Sequence, residues 1–207
     1  MKELVKAIKD ELKKICPAHV KETKVKYATQ KQIDAFQKKN GIEFPAELTE
    51  FWLSCDFEIT ASSKIYKTLE LDGPAYFIFD DLELLILDWE QNSGGSGYPM
   101  TDDFKSGDYY AFEKRGYTED IITASVYDKK WFPLATDSFG GSICIDMNPG
   151  KKGTYGQLLY MLFPGEGKAG PYYTGFSSLR EFLESYLRDL REGRFEVEDE
   201  RVYPLLP

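Results

Sequence analysis

Adjacent carboxylates are the feature of this sequence that most resembles a catalytic site. Such pairs occur, for example, at Asp80-Asp81, Asp102-Asp103 and Glu119-Asp120. Two carboxyl groups flanking a glycosidic bond can hydrolyse it, one as the acid and the other as the nucleophile or base. However, the chain contains 35 Asp and Glu residues, so adjacent pairs arise by chance. The pairs therefore favour a solvated acidic surface, with a carboxylate-dependent hydrolase as the remote alternative.

Other sequence features with catalytic or ligand-binding potential are isolated or incomplete. His19 is the only histidine, and it follows a predicted helix without a neighbouring acid or cysteine, as an ordinary loop histidine would. The G-x-G-x-x-G spacing at 165–170 leads into Pro171 instead of a helix, unlike a dinucleotide site. Asp146-x-Asn148 is too short for a calcium loop, and we expect Asp146 to accept hydrogen bonds from the following turn. We therefore expect no enzymatic activity, no cofactor and no metal site.

Length and composition predict a single domain. The chain has 207 residues and 42% apolar content, enough for one core. Cys16, Cys55 and Cys144 are odd in number and far apart, which argues against a disulfide framework or a zinc cluster. No stretch of about 18 uninterrupted apolar residues is present, which argues against a transmembrane helix. Lysine and glutamate are distributed throughout residues 1–16, which argues against a signal peptide. We expect a reduced cytoplasmic protein without a signal peptide and without membrane binding.

Charge is distributed unevenly along the chain. Residues 1–40 carry a net charge of +6 and residues 41–207 a net charge of −15, which gives −9 in total. The densest acidic stretch is 80–128, with twelve acids against three bases. Such a field repels phosphates and attracts basic proteins, which predicts a protein partner and no nucleic acid. Solubility alone would explain the same composition, and this alternative stays open.

The acidic stretch also contains the best candidate for an aromatic surface anchor. Trp89 lies among acidic and polar residues of a predicted helix, whereas Trp52 and Trp131 have the neighbours of core residues. The predicted partner-binding residues are Asp80, Asp81, Trp89, Asp102, Asp103, Asp108, Tyr109 and Tyr110.

Helices dominate the first quarter of the predicted secondary structure. Apolar residues at helical spacing predict a helix over 2–16, which Pro17 stops. A capping box at Thr29 and Gln32 opens a second helix, and Gly41 ends it.

Two further helices follow from their starting residues. Pro45 suits the first position of a helix whose apolar face includes Trp52. Ser178 and Glu181 form the capping box of the last helix, which ends at Gly193.

Strands are expected in the middle of the chain, around one helix over 80–91 whose first turn is acidic. Alternating side chains predict a strand at 142–147, with Ile143 and Ile145 on its buried face. The turn at 148–150 and a strand over 157–163 complete a hairpin with a long loop. Further strands are predicted at 65–71, 75–79, 109–112 and 121–127, with a flexible loop at 93–97. The tail over 194–207 is either a flexible end or a docked strand.

Two blocks of this sequence resemble the SUKH superfamily, which includes the fungal cell-wall-assembly-regulator (SMI/KNR) proteins. Residues 33–52 (IDAFQKKNGIEFPAELTEFW) resemble that family's helix, its G-I-x-x-P link and its second helix. Residues 131–157 (WFPLATDSFGGSICIDMNPGKKGTYGQ) resemble its pattern from W-x-P to G-Q, with Ser138 where glycine is common. Residues 176–187 resemble its closing helix. The resemblance covers most of 30–190, and 72–128 and the tail after 190 have no counterpart in it.

The resemblance implies a fold and a class of function. The fold is α+β, with a mainly antiparallel sheet flanked by helices over 1–193 and a tail over 194–207. The function is non-enzymatic protein binding. Bacterial members of the superfamily are regarded as immunity proteins that neutralise toxins, often nucleases, and fungal members regulate wall synthesis.

An immunity protein is our first hypothesis, because an acidic chain can bind a basic toxin by mimicking phosphate charge. The alternative is an intracellular scaffold or regulator of cell-wall or envelope synthesis. The partner's identity and the oligomeric state stay open.

Overall fold

The computed structural model describes residues 1–62, 76–93, 98–99, 120–123, 125–137, 141–162 and 170–205. These residues form the expected α+β fold. The helices are α1 (Lys2–Ile15), α2 (Pro17–Glu22), α3 (Gln30–Asn40), α4 (Ala46–Ser54), α5 (Leu82–Ser93) and α6 (Leu179–Arg191). The strands are β1 (Thr60–Ser62), β2 (Tyr76–Phe79), β3 (Tyr98–Pro99), β4 (Ser125–Tyr127), β5 (Trp131–Thr136), β6 (Gly141–Asp146), β7 (Gln157–Leu162), β8 (Gly170–Tyr173), β9 (Phe195–Glu198) and β10 (Arg201–Pro204).

One antiparallel sheet forms the centre of the fold, with strand order β1-β2-β5-β6-β7-β8. The predicted hairpin of β6 and β7 is confirmed, and β6 also pairs with β5, where Trp131 lies opposite Asp146. A register shift between Pro133 and Ala135 interrupts the β5–β6 pairing. Proline is tolerated at such an irregularity because it has no N–H to donate to a neighbouring strand.

Both faces of this sheet are covered. On one face, the Phe132 ring centroid lies 5.2 Å from that of Phe36, 4.9 Å from that of Phe44 and 6.1 Å from that of Trp52, all on or beside helices. On the opposite face a smaller buried cluster contains Ile122, Tyr127, Trp131, Cys144, Leu159 and Met161. β6 is therefore buried along its whole length.

Capping residues predicted from the sequence mark the first residues of α3 and α6. Thr29 and Gln32 make both hydrogen bonds of the capping box, and Gly41 ends α3 with a φ of 62°, in the left-handed region that favours glycine. At the start of α6, Ser178 Oγ accepts a hydrogen bond from the Glu181 N–H at 3.1 Å. The predicted box at Thr29 is confirmed, and so is the cap by Ser178. The reciprocal half of the second box is wrong, because the Glu181 carboxylate accepts hydrogen bonds from the N–H and the hydroxyl of Ser177 instead of from the Ser178 N–H.

Prolines shift two of the predicted helix boundaries. Pro17 opens the six-residue α2 beyond the expected end of α1, because proline at the first helical position lacks only an N–H that would be unpaired there. Pro45 is the residue before α4 and not its first helical residue. His19 consequently lies inside α2 and is completely buried. The expectation of an ordinary loop histidine is wrong.

The other predicted elements in the described residues have nearby counterparts. The strands expected at 75–79, 121–127 and 157–163 correspond to β2, β4 and β7, and the helix expected at 80–91 corresponds to α5. The strands predicted at 65–71 and 109–112, and residues 94–97 of the predicted loop, lie outside the described residues.

The tail forms a docked hairpin, which decides between the two alternatives left by the sequence. β9 and β10 pair in antiparallel register, with Asp199 and Glu200 in the left-handed region at the turn. Thr60 Oγ1 on β1 donates a hydrogen bond to the Val202 carbonyl at 2.7 Å. The Phe195 ring packs edge-on against Tyr186 of α6, with the centroids 5.3 Å apart.

His19 joins this hairpin to the helical layer. Its Nδ1 accepts a hydrogen bond from the Val202 N–H at 3.3 Å, which leaves Nε2 to donate to the Glu58 carbonyl at 3.1 Å. Both ring nitrogens are satisfied only in the neutral form, since a second proton on Nδ1 would face the Val202 N–H. Burial lowers the pKa of His19, and the nearby Arg201 lowers it further, whereas Glu58 opposes both effects.

We expect acid to loosen the hairpin through His19. The folded-state pKa lies below the unfolded value of about 6.5, so the unfolded chain takes up the proton first and His19's contribution to stability is lost as the pH falls through the folded pKa. His19→Phe should cost about 2–4 kcal/mol at pH 7.5, because it leaves two buried backbone groups unpaired. It should also remove this pH dependence. Urea unfolding from pH 7.5 to 5 measures both effects.

The matched control for His19 is Thr60→Val. It removes a neighbouring hydrogen bond to Val202 without removing a titratable group. The control should be destabilised equally at every pH relative to the wild type. An unchanged pH profile in His19→Phe would contradict the assignment to His19.

Candidate protein-binding surface

The acidic residues at the start of the 80–128 stretch are positioned by the connection from β2 to α5. Leu82 at the start of the helix is buried, and its N–H donates to the Tyr27 carbonyl at 2.8 Å. Asp81 Oδ1 accepts hydrogen bonds from the N–H groups of Glu83 at 2.9 Å and Leu84 at 3.0 Å. Asp81 therefore caps the helix, a structural role for a residue predicted to bind a partner.

Trp89 lies on the buried face of α5. Leu82, Leu85 and Trp89 recur at helical spacing and face the core, and Trp89 is only 5% exposed. Its Nε1 donates to the Lys129 carbonyl at 2.9 Å, and its ring lies edge-on to Phe36, with the centroids 5.4 Å apart. The prediction of an exposed tryptophan anchor is wrong. The 82, 85, 89 spacing in the sequence was the signal for burial.

Asp80 is a half-buried carboxylate in a negatively charged environment. Its Oδ2 accepts a hydrogen bond from Thr136 Oγ1 at 2.6 Å. Burial raises the pKa of Asp80, and the charges of Asp81, Asp88 and Glu58 raise it further, while the Thr136 hydrogen bond opposes them. The negative charges of these carboxylates therefore repel one another, and the Thr136 hydrogen bond offsets only part of the rise in the pKa of Asp80.

The outer face of α5 combines acidic and apolar side chains. Glu83 Oε1 accepts a hydrogen bond from Gln32 Nε2 at 2.8 Å, and Glu90 lies 3.3 Å from Lys39 Nζ. Between them Leu84 and Leu87 are exposed, at 54% and 53%. Sequence reasoning missed these leucines. The signal was present, because residues 82–87 (LELLIL) contain more apolar side chains than one buried helix face can hold.

The other predicted partner-binding residues, Asp102, Asp103, Asp108, Tyr109 and Tyr110, lie outside the described residues. Within the described residues, the structure brings together Asp80, Asp81, Glu83, Asp88 and Glu90 on or beside α5.

A second carboxylate with distinctive surroundings is Asp146, at the end of β6. Its Oδ1 accepts hydrogen bonds from Trp131 Nε1 at 3.0 Å and the Asn148 N–H at 2.8 Å, and its Oδ2 accepts one from Gln157 Nε2 at 2.8 Å. The predicted hydrogen bond from the following turn is confirmed. Burial raises the pKa of Asp146 to about 6, although the three donors oppose the rise. Asp146 is 0% exposed, so its role is to organise the hairpin and not to meet a substrate.

The loop after Asp146 holds the segment at 120–123 against the sheet. The Gly150 N–H and Gln157 Nε2 both donate to the Ile121 carbonyl, at 2.8 Å and 3.0 Å. A Cβ atom on Gly150 would lie 2.2 Å from the Asp120 carbonyl oxygen, and one on Gly153 would lie 2.2 Å from that of Ile121. Glycine is required at both positions by this close approach of two backbones.

In the described part of the chain, neither the potential metal-ligating side chains nor the cysteines are arranged for metal binding or nucleophilic attack. They contain no group of three or more His, Cys, Asp or Glu side chains placed to hold a metal. Cys16, Cys55 and Cys144 are buried and free, and burial raises the pKa of Cys55 to about 12, which keeps it a neutral thiol. Among the described helices, none has the length and apolar character needed to span a bilayer.

Comparison with known proteins gives a family match and a partial relative. The family model described as the SMI1 / KNR4 family (SUKH-1) matches residues 27–185. A protein from Kluyveromyces lactis named "KNR4/SMI1 homolog" is 41% identical over 73 residues. That alignment covers 34% of this chain and only 12% of the Kluyveromyces protein. The family match includes α3–α5, the β5–β7 sheet centre and the first half of α6.

Proposed function

The chain belongs to the SMI1 / KNR4 family (SUKH-1), and on that basis we propose that it is a non-enzymatic immunity protein, which neutralises a basic protein toxin by binding it directly. The family is generally non-catalytic, and membership suggests protein binding. That the partner is a basic toxin is a further inference, and it rests on the negative charge of this chain.

The acidic character of α5 is the observation that carries this proposal. All three charged residues of the helix are acidic, namely Glu83, Asp88 and Glu90, and Asp80 and Asp81 directly precede it. The chain as a whole has a net charge of −9. A nuclease that binds phosphates presents a positively charged cleft, and an acidic surface of this kind attracts that cleft and competes with its substrate.

A rescue experiment tests the proposal. The gene beside this one is expressed alone and with the wild-type chain in a host that lacks both. We expect the neighbouring product to inhibit growth, the chain to restore growth, and the two purified proteins to elute as one complex at low salt. A toxic neighbour that neither binds the chain nor is neutralised by it would contradict the proposal.

A regulator or scaffold of cell-wall synthesis is the second candidate. The observation in its favour is the alignment with the Kluyveromyces protein named "KNR4/SMI1 homolog", at 41% identity over 73 residues. This candidate predicts that deletion of the gene sensitises cells to wall-damaging dyes and that no adjacent gene encodes a toxin. Wall-stress sensitivity after deletion would favour it over the immunity role.

The remote hydrolase alternative gains no support from the described carboxylates, and Asp102, Asp103 and Glu119 lie outside the described residues. Asp81 is engaged in capping α5, and Asp80 is hydrogen-bonded to Thr136. Asp146 is enclosed by its three donors. None of the three has the open, paired arrangement that glycoside hydrolysis needs.

A further inference from the structure

Leu84 and Leu87 form an exposed apolar ridge on α5, here called the leucine ridge. The two side chains are one helical turn apart and more than half exposed. The opposite face of α5 is buried through Leu82, Leu85 and Trp89. The ridge therefore projects away from the core, and its leucines contribute little to the packing of α5 against the sheet.

The residues around the ridge fit a single heptad of a coiled coil, since the next a position, Gln91, is polar. With Leu84 at position a, Leu87 occupies position d, Asp88 position e, and Glu83 and Glu90 the two g positions. In coiled coils, apolar a and d residues form the contact and charged e and g residues select the partner. α5 thus presents an acidic half of such a contact.

The acidic side chains beside the ridge are held in place by neighbouring elements. Gln32 and Lys39 of α3 contact Glu83 and Glu90, and Ser142 Oγ lies 3.4 Å from Asp88 Oδ2. The helix itself is fixed by the Asp81 cap and by the hydrogen bond from Trp89. Little ordering of the helix is then needed on binding, which favours affinity.

We infer that the leucine ridge docks an amphipathic helix of the partner protein that has apolar a and d residues and lysine or arginine at e and g. This inference rests on the proposed function and deepens it, because it names the surface and the chemistry of the partner segment. The acidic e and g residues of α5 favour a partner helix with basic residues at these positions. A second copy of the ridge would place acidic e and g residues opposite one another and be repelled. The twelve residues of α5 span fewer than two heptads and hold one apolar a–d pair, so the contact is one part of a larger interface.

Synthetic peptides of three heptads test the inference directly on the full chain. The basic probe has leucine at a and d and lysine at e and g. One control peptide carries glutamate at e and g, and another carries serine at a and d. At low salt we expect the basic probe to bind with a dissociation constant on the order of 10–100 µM, and each control peptide to bind about tenfold more weakly or not at all.

A pair of double variants locates the binding. Leu84→Ser with Leu87→Ser should weaken binding of the basic probe about tenfold or more. The matched control is Leu53→Ser with Leu205→Ser, which removes two leucines exposed at 45% and 44% on other elements and should leave binding unchanged. Leucine-methyl NMR should show the largest shifts at Leu84 and Leu87 in the wild type.

Three results would overturn the inference. The basic probe could bind both double variants equally, or the serine-substituted peptide could bind as well as the basic probe, which would leave charge alone as the cause. Alternatively, the ridge variant could unfold at a much lower temperature than the matched control, which would mean that the leucines pack within this chain.

Binding and neutralisation tests with the toxin distinguish failure of this inference from failure of the proposed function. If the ridge variant binds and neutralises the toxin as the wild type does, the ridge inference fails and the immunity role stands. If the basic probe binds the ridge but the neighbouring gene product neither binds nor is neutralised, the immunity role fails and the ridge stands as a docking site for another basic protein.

Discussion

Asp146→Ala is expected to destabilise the fold by about 4 kcal/mol, since it leaves three donors, two of them on buried side chains, without this acceptor and each such loss costs about 1–3 kcal/mol. Those donors are Trp131 Nε1, the Asn148 N–H and Gln157 Nε2. Trp131 and Gln157 are 0% and 1% exposed, so water cannot replace the carboxylate without opening the structure. Urea unfolding followed by tryptophan fluorescence measures the loss.

The matched control is Asp34→Ala on α3, which removes an exposed carboxylate whose described contact is a hydrogen bond from Gln30. This control should change the free energy of unfolding by about 0.5 kcal/mol or less. Trp131→Phe removes one of the three donors and should cost less than Asp146→Ala. Equal stability of Asp146→Ala and the wild type would show that the hairpin does not depend on this carboxylate.

The pH dependence of stability gives an independent test of Asp146. Burial raises its folded-state pKa from 3.8 to about 6, so the folded chain takes up the proton before the unfolded chain does. The contribution of Asp146 to stability therefore increases as the pH falls from 7 to 4, by about 3 kcal/mol. Asp146→Asn cannot take up this proton. We expect the stability difference between the wild type and Asp146→Asn to grow in favour of the wild type toward pH 4, and a constant difference would contradict the raised pKa.

The sequence predicted the features that short-range chemistry decides. The Thr29–Gln32 capping box, the Ser178 cap and the hydrogen bond from the 148–150 turn to Asp146 all involve residues within three positions of one another. Such contacts depend on local backbone geometry, which the residue types themselves determine. The β6–β7 hairpin was predictable because its two strands are consecutive in the chain and the 148–150 turn lies between them.

Burial was harder to predict because distant segments decide it. Trp89 is buried through Phe36 and the Lys129 carbonyl, and His19 through Glu58 and Val202, up to 183 positions away. β6 alternates in sequence as a half-exposed strand would, yet the cluster around Ile122 and Tyr127 covers its second face. Periodicity indicates which residues share a face but not what will cover that face.

The candidate surface was only partly predictable. Acidic composition located it at the start of the 80–128 stretch, and the carboxylates at Asp80 and Asp81 do lie beside α5. The predicted anchor, Trp89, faces the core, because helical phase and not aromatic character decides which side chains of α5 are exposed. Once the buried face of α5 is known, helical spacing in residues 83–90 predicts the leucine ridge on the opposite face.

Neutralising the acids of α5 is expected to have the largest effect on partner binding. Glu83→Gln, Asp88→Asn and Glu90→Gln together remove three negative charges while keeping side-chain size. Association with the basic toxin at low salt should slow by about 10- to 100-fold, because steering by complementary charge acts mainly on the association rate. The dissociation rate should change less, since the leucine ridge is unaltered. Stopped-flow fluorescence from 20 mM to 500 mM salt measures both rates.

A second acidic triple variant controls for net charge. Glu184→Gln, Glu196→Gln and Glu198→Gln remove three exposed charges on α6 and β9 and change the total charge by the same amount. If overall charge steers the partner, both triple variants slow association equally, and the assignment to α5 is wrong. If α5 is the docking surface, the first variant is slow, the second is close to the wild type, and the difference between them disappears at high salt as the charges are screened. A third variant that neutralises Asp102, Asp103 and Asp108 then measures how far the surface extends along the chain, because those residues are the predicted acidic contacts beyond α5. The order of the three association rates thus assigns binding to α5, to 102–108 or to net charge alone.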